Sequence, residues 1–156
     1  MSASDQSTQP DQDTHDRIRL SRIVPAPIDT VWAAFTTLPD IESWWWSTLD
    51  ATHELDPRPG GRYRFAVPSA GFAVRGTVLE LDDRRHVAWS WIWQDGDSDG
   101  PLERVDIGFT TVGEGTQVDI EHQGPWTDPE TGPNYTIGWM STLDVLVRLH
   151  AGESTT

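Results

Sequence analysis

The sequence contains no cysteine, which excludes disulfide bonds, thiolate nucleophiles and zinc sites built on cysteine. It also contains no lysine, because all eleven basic residues are arginines. Schiff-base chemistry through a lysine is therefore excluded. The chain has no run of about 18 apolar residues, the length that a membrane-spanning helix needs. No segment is predicted to insert into a membrane.

The sequence also lacks the common patterns of metal and cofactor sites. His53, His86 and His150 are scattered and show none of the spacings typical of a metal-binding motif. There is no phosphate-binding loop, no dinucleotide fingerprint and no nucleophile elbow. We therefore expect no metal and no cofactor.

Residues 1–16 contain almost nothing that a folded core could bury. They carry four aspartates and no basic residue, and they lack the apolar segment of a secretory signal. We predict a disordered acidic tail over 1–16, a folded domain over 17–150, a frayed C-terminus over 151–156, and a cytoplasmic location.

The formal net charge of the chain is -14. Even without the four charges of the tail, a charge of -10 remains on residues 17–156. Such a field repels phosphate-rich partners, so we expect no nucleic acid partner. The acidity favours solubility; a basic protein partner or a high-salt environment are alternatives, and any protein partner is unknown.

Alternating and helical patterns follow one another along the chain. Residues 17–24 alternate as in a strand, with a slip before Ile23 and Val24. Apolar residues at helical spacing predict a helix from Pro27, and "LPDIESWWW" predicts a second, shorter one. About six short strands then follow, separated by Gly- and Asp-rich turns, before a long helical pattern that starts near Asn134. Strands segregated from helices predict the α+β class.

Four stretches resemble a known family, the helix-grip proteins of the START-like (polyketide cyclase and lipid-transport) superfamily. The stretches are "APIDTVWAAFT", "DPRPGGRYRF", "GTVLELDDRRHVAWSWIW" and "GWMSTLDVL". Within the superfamily, they are similar to the branch named after the activator of heat-shock-protein-90 ATPase. The resemblance covers about residues 17–149. It implies a curved antiparallel sheet of about seven strands around a long C-terminal helix, with an apolar cavity between them.

Three tryptophans, Trp89, Trp91 and Trp93, occupy alternate positions of one predicted strand. Strand parity places their indoles on the same face. Large rings there either fill the core or form the wall of a cavity. We interpret the stripe as a cavity wall as well as core. The predicted ligand-binding residues are Tyr63, Phe65, Trp89, Trp91, Trp93, His122, Trp139 and Leu143.

"WWW", residues Trp44, Trp45 and Trp46, cannot turn three successive side chains inward on one short helix. At least one indole should lie near the surface or at the mouth of the cavity. A gate over the cavity and a partly exposed hydrophobic contact are both open interpretations.

His122 follows Val118 and Ile120 on the inward parity of its strand. It is either a hydrogen-bonded core histidine or a group that orients a ligand or acts as a general base. Glu80 is either a carboxylate in the cavity or, as we favour, a surface charge. Gly138 is unfavourable inside a helix, so it marks a close approach of another group, room for a ligand, or a frayed first turn.

Three functions are compatible with these features. The first, which we favour, is binding of a small hydrophobic or aromatic molecule in the cavity without catalysis. The second is a cyclase, dehydratase or hydrolase that uses His122 as its general base, although no second polar group is firmly placed beside His122. The third is a chaperone-associated interaction module, for which the chain offers only an acidic tail in place of the extra N-terminal domain of the eukaryotic relatives.

Overall fold

The computed structural model describes residues 17–126 and 128–154. The predicted acidic tail, residues 1–16, lies outside the described residues. The described chain forms eight strands and three helices: β1 (Arg17–Val24), α1 (Ile28–Thr36), α2 (Leu38–Glu42), β2 (Thr52–Leu55), β3 (Arg62–Val67), β4 (Phe72–Asp82), β5 (His86–Asp95), β6 (Ser98–Asp99), β7 (Glu103–Val112), β8 (Gly115–Gln123) and α3 (Thr131–Ser154).

All strand pairings are antiparallel, and the sheet order is β1-β8-β7-β5-β4-β3-β2. The two-residue strand β6 pairs with the end of β5, inside the segment predicted as a turn. The predicted α+β helix-grip architecture, with a curved sheet and a long C-terminal helix, is confirmed. Strand β1 forms one edge of the sheet beside β8, the last strand of the chain, and β2 forms the other edge.

The slip predicted in β1 is wrong. The strand pairs with β8 in one continuous register, in which Leu20 lies opposite Ile120. Val24 is fully buried, whereas Ile23 is 53% exposed. The apparent slip arises because Arg22 occupies a position on the inward parity, where it forms an ion pair with Asp144 of α3.

The second predicted helix is shorter than the sequence pattern indicates. Helix α2 ends at Glu42, and a series of turns follows it. Trp46 adopts a left-handed backbone conformation with φ 53°, which a helix does not allow. The three consecutive tryptophans therefore point in different directions without sharing a helix.

The hydrophobic core lies between the concave face of the sheet and the helices. Helix α3 contributes Trp139, Leu143 and Leu146, all nearly or fully buried. These residues follow the helical spacing seen in the sequence, and they belong to the same hydrophobic core as the alternate inward residues of β7 and β8. No helix within 17–126 and 128–154 is long and apolar enough to cross a membrane.

Candidate functional site

A cavity of about 400 Å³ lies between α3 and the end of the sheet that contains the start of β4 and the end of β5. We refer to it as the aromatic cavity. Among the described residues, seven that line it are aromatic, the other four are small or polar, and none carries a charge. The lining residues are Trp45, Trp46, Phe72, Trp91, Trp93, Thr131, Asn134, Tyr135, Gly138, Trp139 and Thr142.

The tryptophans of β5 form a stripe from the core to the mouth of this cavity. Trp89 is fully buried in the core and does not line the cavity. Trp91, only 3% exposed, forms part of the wall. Trp93 is half-buried and stacks on Phe72 with the ring centroids 5.3 Å apart. Two of the three indoles thus contribute to the lining, because the strand extends beyond the core toward solvent.

The three tryptophans that follow α2 have separate environments. Trp44 is fully buried, and its Nε1 donates to the Ala34 carbonyl oxygen over 2.8 Å. Trp45 is 2% exposed and lines the cavity. Trp46 is half-buried, lines the cavity, and makes edge contacts with Phe72 and Trp93. Of these three, only Trp46 is a half-buried lining residue.

Helix α3 provides the opposite wall, and Gly138 leaves room in it. A Cβ atom added at Gly138 would meet no other atom within 4 Å. Thr131, Asn134 and Thr142 add polar groups along the same side. Gly138 thus lines the cavity at an exposed position of the helix, with open space where a side chain would begin.

His122 is fully buried behind this wall and does not line the cavity. Its Nδ1 accepts a hydrogen bond from the Trp139 indole over 3.0 Å. Because an indole nitrogen can only donate, Nδ1 carries no proton, and Nε2 donates to Glu103 Oε1 over 2.7 Å. Burial lowers the pKa of His122, although Glu103 acts in the opposite direction. The imidazole is therefore neutral, with a defined tautomer.

Glu103 connects His122 to other aromatic groups. Its second oxygen accepts from the Trp126 indole over 2.9 Å, so two N–H groups satisfy a carboxylate that is only 4% exposed. Tyr135 lies between this cluster and the cavity, with its ring centroid 4.3 Å from that of His122. Burial and the Glu103 charge raise the pKa of Tyr135, which keeps its hydroxyl neutral.

Glu103 was not predicted from the sequence as a partner of His122. The signal was present: Glu103 shares the inward parity of Val105 and Ile107, and β7 runs antiparallel beside β8. A charged residue at the beginning of a strand is usually exposed, however, and only the pairing of β7 with β8 brings it to His122. The statement that His122 lacks a polar partner is therefore corrected.

The predicted ligand-binding residues divide into two groups. Trp91, Trp93 and Trp139 line the aromatic cavity. The other five are buried in the core beneath it: Tyr63, Phe65, Trp89, His122 and Leu143.

Tyr63 illustrates why these five residues are separated from the cavity. Its hydroxyl donates to the Ser90 carbonyl oxygen over 2.7 Å, and burial raises its pKa. The hydroxyl is thus used to join β3 to β5.

Glu80 lies on the outer face of the sheet. A bulge between Val78 and Glu80 shifts the register of β4 against β5. The exposed Glu80 carboxylate pairs with Arg104 over 3.1 Å and with His86 over 3.4 Å. Within the described parts of the chain, no group of three acidic or histidine side chains could hold a metal ion.

The protein is an α+β protein of the helix-grip class, with the aromatic cavity beneath its last helix. Residues 25–151 match the family described as Activator of Hsp90 ATPase homolog 1-like protein, and the chain belongs to that family. No curated protein sequence matches the chain.

Solved structures share the fold at low sequence identity. DynU16, a protein in the dynemicin biosynthetic locus, is 22% identical with a TM-score of 0.73 over 85% of this chain. The present chain spans 46% of the length of DynU16. Protein CV1439 from Chromobacterium violaceum is 25% identical with a TM-score of 0.72, covering 86% of this chain and 96% of its own. CalU16 from Micromonospora echinospora is 25% identical with a TM-score of 0.64, and the match covers 89% of this chain and 78% of CalU16.

Proposed function

We propose that this protein binds a small, uncharged, largely aromatic molecule in the aromatic cavity and does not catalyse its conversion. The observation that carries the proposal is the lining itself: seven aromatic side chains surround about 400 Å³ without a charged group. The volume falls in the range of small-molecule sites. Apolar area removed from water would supply the affinity, at about 25 cal/mol per Å². Membership of a family with a ligand-binding type of fold supports the same function.

The chemistry of His122 argues against a catalytic role. A general base must come within hydrogen-bond reach of the proton that it removes. Both ring nitrogens of His122 are engaged, one with Trp139 and one with Glu103, and the side chain is fully buried. The lining contains one titratable group, Tyr135, whose raised pKa keeps the phenol protonated at neutral pH.

The second candidate function, an enzyme of cyclase, dehydratase or hydrolase type, is favoured by one observation. A histidine oriented by a buried carboxylate is the usual arrangement of a general base, and the His122–Glu103 pair lies directly behind Tyr135. This function requires Tyr135 to move aside when substrate binds. Turnover by the wild-type protein that disappears in His122→Gln would favour this candidate over binding alone.

The test of the binding proposal is to fill the cavity from Gly138. Gly138→Phe directs a ring into space where no atom lies within 4 Å of the added Cβ. We expect the affinity for fluorenone, a flat aromatic ketone used as a probe, to fall at least tenfold, equivalent to about 1.4 kcal/mol. The fold should remain, because glycine is a poorer helix former than phenylalanine. Equilibrium dialysis measures the affinity.

The matched control is Ile137→Phe, one residue earlier on α3. Ile137 is 65% exposed and does not line the cavity, so this variant should bind the probe like the wild type. Gly138→Ala, which adds only the Cβ, should also retain binding. Equal binding by the wild type and a folded Gly138→Phe variant would contradict the proposal.

A further inference from the structure

We infer that the indole N–H of Trp45 selects the ligand, and that the aromatic cavity therefore takes a flat, neutral aromatic molecule that carries a hydrogen-bond acceptor such as a ketone oxygen. The inference rests on the proposed binding function. It adds the chemical class of the ligand and the residue that recognises it.

The Trp45 indole is a buried donor without a partner. Trp45 is 2% exposed, and its Nε1 is the only buried side-chain nitrogen in the described part of the chain that lacks a hydrogen bond. A buried donor without an acceptor costs stability, and such groups are rare in folded proteins. An acceptor supplied by a bound ligand would remove that cost.

The other two buried tryptophans of the lining differ from Trp45 in this respect. The Trp91 indole donates to the Tyr135 hydroxyl over 3.1 Å, and the Trp139 indole donates to His122 over 3.0 Å. Both N–H groups are therefore used within the protein. Among these three tryptophans, only Trp45 has an indole N–H that is available to bind an acceptor on a ligand.

The surroundings of Trp45 explain why the protein does not satisfy it. Its neighbours are aromatic rings, which offer π faces and no lone pair comparable to that of a carbonyl oxygen. Six ring centroids lie 5.1 to 6.3 Å from its own, those of Trp44, Trp46, Phe65, Trp89, Trp91 and Trp139. Trp45 also lines the aromatic cavity, so a ligand bound there can supply the acceptor.

The charge and shape of the cavity restrict the rest of the ligand. A charged ligand would lose its hydration without gaining a counter-charge, because no lining residue is charged. Aromatic rings also attract cations, but an unpaired donor presents its positive end and requires an acceptor. Phe72 and Trp93 stack with an interplanar angle of 15°, so one wall presents flat aromatic surface to a flat ligand.

The test compares fluorenone with fluorene, which has the same three-ring skeleton but a methylene group in place of the carbonyl. Equilibrium dialysis against the full chain gives both dissociation constants and their ratio. In the wild type, the ratio should favour fluorenone. Replacing Trp45 by its benzothiophene analogue exchanges the N–H for a sulfur atom and keeps the ring size. This change should reduce the preference for fluorenone by about five- to tenfold, the scale of one hydrogen bond.

Two further variants make the comparison specific. Trp45→Phe removes the same N–H by ordinary mutagenesis, and the benzothiophene analogue remains informative where the smaller ring prevents folding. Trp93→Phe is the matched control, because it removes another indole from the same lining. It should weaken both probes and leave their ratio within about twofold of the wild-type value, since non-interacting changes are additive.

The outcomes separate the two proposals. A preference for fluorenone that is lost with the Trp45 N–H and retained in Trp93→Phe supports the inference. Equal loss of preference in both variants, or no preference in the wild type, overturns it while leaving ligand binding intact. Tighter binding of phenyltrimethylammonium than of fluorenone overturns it in favour of a cation. Binding of none of the three probes contradicts the proposed function as well.

Discussion

His122 is the residue whose chemistry depends most strongly on its neighbours. An imidazole in water has a pKa near 6.5, but burial lowers the pKa of this one. The hydrogen bond from Trp139 to Nδ1 reinforces the neutral form, because protonation of Nδ1 would place two hydrogens between the rings. The side chain is therefore a neutral link between β8, β7 and α3, with Glu103 as its acceptor.

This arrangement predicts a pH dependence of stability. Below about pH 6.5 the unfolded chain binds a proton at His122 that the folded chain does not, so the free energy of unfolding falls as pH falls. For His122 alone, the change in the free energy of unfolding approaches about 1.4 kcal/mol per pH unit. His122→Gln, which offers a donor and an acceptor of similar reach, should lack this component. Urea denaturation of both proteins between about pH 5 and pH 7 measures the difference.

Parallel curves for the wild type and His122→Gln over this range would contradict the neutral assignment. A wild type that gains stability relative to His122→Gln as the pH falls would also contradict it, because only a raised pKa of His122 would stabilise the fold at low pH. Hydrogen bonds from Gln94 and Arg75 lower the pKa of Asp99. Burial acts to raise the pKa of Asp106, but the hydrogen bonds with Arg104 and His86 lower it overall. These two carboxylates change the free energy of unfolding near the pH at which ordinary carboxylates titrate, which lies below the pH range of the urea experiment.

At the scale of single elements, the contact between β4 and β5 holds the stripe of tryptophans in place. Gly76 allows the two strands to approach closely. A Cβ added there would lie 2.1 Å from the Ser90 carbonyl oxygen. The same Ser90 accepts the Tyr63 hydroxyl, and its own hydroxyl accepts the Thr77 amide over 2.8 Å. Any side chain at position 76 would disturb all three strands, β3, β4 and β5.

We therefore expect Gly76→Ala to lower the free energy of unfolding by at least about 2 kcal/mol, the lower end of the range for severe backbone or packing conflicts. Gly108→Ala is the matched control, since it adds a methyl group to a glycine of β7. The nearest atom to that Cβ, the Arg85 carbonyl oxygen, is 3.9 Å away, an ordinary contact. Thermal and urea unfolding measure both variants, and an equal loss of stability would show that the approach at Gly76 is not limiting.

The elements also show how far the sequence alone could lead. Alternation in β5 predicted that its tryptophans share a face, because strand parity is local information. The alternation could not predict that Trp89 lies in the core while Trp93 lies at the mouth of the cavity. This difference depends on where α3 crosses the sheet. Trp44 to Trp46 show the same limit: local periodicity continued the helix, whereas the backbone leaves it after Glu42.

At the scale of the whole molecule, the order of helices and strands could be predicted from the sequence. The arrangement of residues in the site was harder to predict. Four separate stretches with the right order predicted the helix-grip fold. The burial of Glu103 and the unpaired Trp45 N–H arise from contacts between residues distant in sequence. Strand parity could indicate that Glu103 faces inward, but neither spacing nor composition indicates its partners or the unpaired indole. The distribution of charge shows the same separation of surface and site: the chain carries a net charge of -14, yet none of the described residues that line the cavity is charged.

The measurement that tests ligand binding in the aromatic cavity most directly is an NMR titration of the indole N–H signals with fluorenone. The nine tryptophans divide into those that line the cavity and those that do not, so the protein carries its own controls. The five lining residues are Trp45, Trp46, Trp91, Trp93 and Trp139. The four others are Trp32, Trp44, Trp89 and Trp126.

Binding in the cavity predicts saturable shifts that are largest for the five lining indoles, because ring currents and new hydrogen bonds act over short distances. The Trp45 signal should move in the direction of a newly formed hydrogen bond. The Trp32 and Trp126 signals should change least. Saturable shifts concentrated in the four non-lining indoles, or no saturable shift among the five, would contradict the assignment of the aromatic cavity as the ligand site.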